Sequence, residues 1–174
     1  MADTWRATAQ AVTFATNKDM LDVLNATGSG RVVRVYRAFQ FNNFVSAITG
    51  VLFAMTLRRT TAATSGTTVT PIAHDTTNTV LAAQITAGYN RTLTLATPSL
   101  IRQYNWVNEE PVVAGTTQAN WLTLVPFCEV WNAGYADANV QPIVCREVEG
   151  FAFYTGTVVV GANDFEIEFT NAAS

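Results

Sequence analysis

From Arg31 to the C-terminus the chain is a succession of short β-forming runs separated by turn-rich segments, and this alternation is its strongest constraint on fold. The clearest run is DFEIEFT, Asp164 to Thr170. Phe165, Ile167 and Phe169 fall on one face of such a strand, and Glu166 and Glu168 on the other. In GVLFAMTL, Val51, Phe53, Met55 and Leu57 share a face. Leu52 lies opposite, which predicts a strand buried on both sides. RVVRVYRAF and RTLTL add two more strands. WLTLVPFCEVW adds another, with a break, bulge or edge expected at Pro126. FAFYTGTVVV and the terminal run are expected to form a hairpin around Gly161-Ala162-Asn163. TTAATSGTT, AHDTTN, TAGYN and NAGYADANVQP supply the turns.

Composition supports the same class. The 174 residues include 26 Thr and a single Lys, Lys18; Thr is β-branched and suits pleated surfaces. With 49% hydrophobic and only 13% charged residues, the chain can bury a core, and part of its surface is expected to sit against partners. A net charge of −3 without a basic stripe argues against a dedicated nucleic-acid binder. The most apolar stretch, Val45 to Leu57, is shorter than the roughly 20 residues of a membrane helix. MADTWRATAQ lacks the pattern of a secretory signal. The two cysteines, Cys128 and Cys145, are therefore expected to be reduced and buried.

The first thirty residues differ from the rest. In NKDMLDVLNATGSG, Asn17 can cap a helix and Asp19 favours its first turn. Met20, Leu21, Val23 and Leu24 form an apolar side, and Gly28 and Gly30 end the segment. The expected organisation is an all-β protein: residues 1–30 an N-terminal arm with one or two helical turns, residues 31–174 a β-sandwich or jelly-roll-like body.

The residues capable of chemistry do not add up to a catalytic set. His74, the only histidine, precedes Asp75 in TPIAHDTTN. A nucleophile paired with it would have to be a distant group such as Cys128, in a run with no local cation to lower its pKa. A zinc site would need His74 with both cysteines, none at short ligand spacing. His74 and Asp75 fit a turn better, with Asp75, Thr76 and Thr77 bonding to nearby backbone. Glu109 and Glu110 are adjacent, so on a strand they would point apart; Pro111 makes a loop the expectation. Period two puts Arg31 and Arg37 on one face and Arg34 on the other, with Arg58-Arg59 at a sheet end. Trp5, Trp106, Trp121 and Trp131 suit a core, an interface or a sugar platform. No catalytic residue, cofactor or metal is expected, and the chain is not expected to be an enzyme.

Several segments, in order, resemble a family of small virion structural proteins of tailed bacteriophages: NATGSGRVVRVYRAF, TPIAHDTTN, WVNEEPVV, LVPFCEVWNAGYADANVQPIVCREVEGFAFYTG and FEIEFT. The resemblance covers most of the chain from about residue 17 and treats HDTTN as a loop. It implies a capsid cement or decoration protein, made in the host bacterial cytoplasm and carried on the virion's capsid surface. Its partners would be the major capsid protein and itself, as a homotrimer, with no direct nucleic-acid or membrane contact. A neck, tail or fibre-associated virion protein is the first alternative, and a carbohydrate-binding β-sandwich the second. On this reading Trp5, Arg37 and Trp106 are the expected interface residues.

Overall fold

The computed structural model describes residues 3–42, 51–108, 127–133 and 141–173. Every helix or strand among them is a strand. In chain order they are β1 (Asp3–Thr13), β2 (Lys18–Asn25), β3 (Arg31–Asn42), β4 (Val51–Thr64), β5 (Thr67–Val69) and β6 (Ile72–Ala73). Then follow β7 (Ile85–Tyr89), β8 (Thr92–Asn108), β9 (Phe127–Asn132), β10 (Ile143–Cys145), β11 (Glu149–Thr155) and β12 (Ala162–Ala173). They form two antiparallel sheets. The first runs β10-β3-β12-β1-β6, with β9 also on β3; the second runs β5-β7-β2-β11-β4-β8.

The pairings follow one rule. β1 pairs with β12, β2 with β11, β3 with β9 and β10, and β4 with β8. The chain is thus an antiparallel ribbon folded back on itself between β4 and β8. Two further pairings, β12 with β3 and β11 with β4, roll the ribbon into two layers. The short β5, β6 and β7 lie in the β4–β8 connection and extend the outer edges of both sheets.

The inner faces share one core. Phe165, Ile167 and Phe169 of β12 meet Phe151 and Phe153 of β11 and Met55 and Leu57 of β4, all fully buried. The Phe153 and Phe165 rings join the two sheets at 5.0 Å between centroids, and Phe14 stands edge-on to Phe53 at 4.9 Å. Each such ring contributes about 1.5–3 kcal/mol by leaving water.

One part of the interior is polar and bridged by amides. Tyr104 Oη donates to Gln40 Oε1 at 2.6 Å, and Gln40 Nε2 to Asn163 Oδ1 at 2.6 Å. Asn163 Nδ2 donates to Asn108 Oδ1 at 2.8 Å. Trp106 Nε1 donates to Asn42 Oδ1 at 2.9 Å and to Asn108 Oδ1 at 3.2 Å, and Asn108 Nδ2 reaches the Val160 carbonyl at 3.1 Å. The chain of bonds ties β3 and β12 of one sheet to β8 of the other.

Five expectations are corrected. Residues 17–25 make no helical turn: Lys18–Asn25 is β2, held by β11 on one side and β7 on the other. The strand carries a bulge, since Leu21 faces Phe153, Asp19 faces Tyr154, and Met20 is left over. Asn17 is no cap, because its φ of 56° places it in the turn before β2. The runs around Gly161 are not a hairpin, since β11 and β12 belong to different sheets. Leu52 is 66% exposed, so β4 is buried on one face only at that end. Arg58 and Arg59 sit within β4, not at its end. Residues 121–126, including Pro126, and the Glu109–Glu110 pair lie outside the described residues.

The amide bridge carries a testable cost. Asn163→Ala leaves Gln40 Nε2 without its acceptor and Asn108 Oδ1 with one donor fewer. Urea unfolding is expected to show a loss of about 2–4 kcal/mol. A loss below about 0.5 kcal/mol would mean that the bridge does not hold the two layers together.

Candidate functional site

The outward face of the first sheet carries a cluster of charged and polar groups. β12 turns Glu166, Glu168 and Thr170 outward, as its alternation predicts. On β3 the alternation is interrupted: Glu168 faces Arg37, Phe169 faces Val35, and Tyr36 is the extra residue. The bulge puts Arg34, opposite Thr170, on the same face as Arg37. The expectation that Arg34 and Arg37 point apart is therefore corrected.

Arg37 Nε lies 3.1 Å from Glu168 Oε2, and His74 Nε2 3.7 Å from Glu168 Oε1. Arg6 on β1 stands 3.7 Å from Glu166. These pairs are partly exposed, so each adds about 0–1 kcal/mol. Burial raises the Glu166 carboxyl above its usual range, against the lowering effect of Arg6. Tyr36, Arg37, His74, Asn132, Glu168 and Thr170 line an open cleft of about 500 Å³ over the bulge, with Thr4 at its β1 side.

The loop that brings His74 to the cleft is firmly held. The Thr4 carbonyl accepts from His74 N and from Asn78 Nδ2, each at 2.9 Å. Asp75 Oδ1 accepts from Thr77 N and Thr77 Oγ1, both at 2.8 Å, which lowers the Asp75 carboxyl. The turn expected for Asp75 is present. Sequence reasoning placed His74 in a loop but had no signal for its meeting with Glu168, which depends on β1 lying between β12 and β6.

The hydrolytic and zinc arrangements are not assembled. Cys128 faces Gln40 and Cys145 faces Val33, so both thiols lie on the inner side of the first sheet, away from the His74 cleft. Both are free; Cys145 is buried, and burial pushes its thiol up to about 12. Cys128 is only half-buried, against expectation, and burial raises its thiol too. Among the described residues no group of three His, Cys, Asp or Glu side chains is placed to hold a metal.

Of the expected interface residues, Arg37 lies at the cleft. Trp5 and Trp106 are 8% and 9% exposed and pack in the core of the single chain. The structure does not bring the three together at one surface.

A second cluster was invisible in the sequence. The bulge at Met20 puts Asp19 and Asp22 on one face, both fully buried. Arg91 lies across Gly88, where a Cβ would overlap its guanidinium. Its Nη1 is 3.4 Å from Asp22 Oδ2, its Nη2 donates to the Ala87 carbonyl at 2.7 Å, and its backbone N–H donates to Asp19 Oδ1. Two carboxyls buried on one face disfavour a double negative charge, so the pair holds on to a proton. Asp19 is pushed up to about 6, by burial first, against the lowering effects of the Asp22 hydrogen bond and of Arg91. Asp22 is held well above the ordinary carboxylate range, by burial first and the Asp19 charge second.

No family model, no curated protein and no solved structure matches this chain.

The carboxyl pair sets a pH dependence. An acid whose folded pKa is raised stabilises the fold fully below its unfolded value and loses that contribution as pH climbs through the folded one. Stability from the pair is expected to be greatest below about pH 4 and to decline by roughly 2 kcal/mol toward neutrality. Asp22→Asn keeps the shape and supplies a fixed donor to Asp19. Urea unfolding from acid to neutral pH should show the decline flattened and the variant more stable than wild type at neutral pH. Equal slopes in both proteins would refute the retained proton.

Proposed function

We propose that this chain is a structural virion protein, a capsid cement or decoration protein that reinforces a phage head by binding, as an oligomer, to the major capsid protein. The observation that carries the reading is the rolled ribbon. Its two layers hold the main strands in the orders β1-β12-β3-(β9, β10) and β2-β11-β4-β8. We read these orders as those of a jelly roll, an architecture shared by viral capsid domains, lectins and cupins. Between the sheets lie Phe151, Phe153, Phe165 and Phe169, all fully buried.

Outward apolar residues add a surface suited to assembly. Leu52 and Val107 face each other across β4 and β8, 66% and 43% exposed. The Val160 carbonyl accepts from Asn108, the residue next to Val107, and the Val160 side chain is 68% exposed. The Leu52–Val107 pair is the candidate contact surface of the second sheet. Arg37, in the cleft on the other sheet, is a further contact candidate.

The chain is expected in density-purified particles in numbers that scale with the shell, cross-linked to the major capsid protein. Cross-links to portal, neck or tail proteins would reassign it within the virion, and absence from particles would overturn the reading. Light scattering after size exclusion is expected to give a trimer. Leu52→Glu should weaken self-association by at least about tenfold without changing the β circular-dichroism signal. A wild-type monomer would remove the trimer from this reading.

A further inference from the structure

The cleft over the Tyr36 bulge contains polar atoms that the chain itself leaves without partners. Thr170 is 7% exposed, and its Oγ1 has no hydrogen-bond partner. Asn132 Oδ1, on β9, is buried and equally unpartnered. Buried polar atoms are normally paired, and an unpaired one destabilises the empty protein. Both residues line the same cleft as Arg37, His74 and Glu168, and the cleft draws its walls from β1, β3, β9 and β12.

We propose that this cleft is a saccharide-binding site that takes one neutral sugar residue. The charges argue against an ion as the ligand. Arg37 and Glu168 compensate each other at 3.1 Å, so an anion meets the Glu168 carboxylate and a cation meets the Arg37 guanidinium. The remaining groups are hydroxyl, amide and imidazole. They call for a partner that both donates and accepts, as every sugar hydroxyl does. The carboxylate beside the guanidinium offers an acceptor and a donor at one spacing, suited to two neighbouring hydroxyls. Tyr36 adds an aromatic surface for the C–H face of a sugar ring. Rotation about χ1 carries the Thr170 hydroxyl between staggered positions without any backbone change. The inference stands independently of the virion reading: a sugar site on this face is compatible with a capsid-surface protein and with a free lectin alike.

The test uses the whole chain, ¹⁵N-labelled, titrated with glucose, galactose, mannose and N-acetylglucosamine, with sulfate and acetate as ionic controls. At least one sugar is expected to give saturable shifts at the Tyr36, Arg37, Ala133 and Thr170 amides. Thr170→Val, nearly isosteric, removes a hydroxyl that bonds to nothing in the free protein. It should leave thermal unfolding unchanged or raised and weaken sugar binding by about tenfold. Asn132→Ala should weaken it similarly. Saturation by the anions and not by any sugar would overturn the proposal in favour of an anion site. So would the absence of saturable sugar shifts, or wild-type sugar affinity in both variants.

Discussion

The register between β1 and β12 is the constraint on which the rest of the molecule depends. It sets Asp3 opposite Asn171 and Trp5 opposite Phe169, joining the two ends of the described chain. Closing so long a loop costs entropy that local contacts do not offset, so the fold gains its stability only when the whole ribbon has rolled up. β1 also carries β6 on its other edge and, through the Thr4 carbonyl, the loop that holds His74. The cleft on the first sheet thus exists only because the chain's first strand is built into the middle of that sheet.

Much of the fold was legible in the sequence wherever strict alternation held. Phe165, Ile167 and Phe169 are buried and Glu166 and Glu168 face out, as DFEIEFT requires, and the inner face of β4 carries Phe53, Met55 and Leu57. Alternation failed where a bulge adds one residue. At Met20 the shift imitates helical spacing and hides β2; at Tyr36 it moves Arg34 to the side of Arg37. A bulge leaves no compositional mark, since Met and Tyr are ordinary strand residues. Both clusters of charged groups, Asp19 with Asp22 and Arg37 with Glu168, sit beside these bulges. The candidate site was therefore the part least open to a period-two reading.

The hairpin expected around Gly161 shows a second limit. Two β-forming runs with a glycine between them are compatible with a tight turn or with a crossing from one layer to the other. The choice is made by pairing energy elsewhere: β11 is held between β2 and β4, and β12 between β1 and β3. Each of these strands gains two hydrogen-bonded neighbours by parting from the other. Sequence-local chemistry describes the connection, and only the rolled topology decides its geometry.

Polar groups are buried both between the sheets and at the cleft. Between the sheets, Gln40, Tyr104, Asn108 and Asn163 pass hydrogen bonds from one to the next. The buried carboxyls of Asp19 and Asp22 lie beside Arg91, whose Nη1 is 3.4 Å from Asp22 Oδ2. On the outer face, Thr170 Oγ1 and Asn132 Oδ1 have no partner and lie beside an open cleft. Local inconsistencies in an otherwise consistent fold gather where function is carried. The cleft is where the outer face of the first sheet departs from regular pairing.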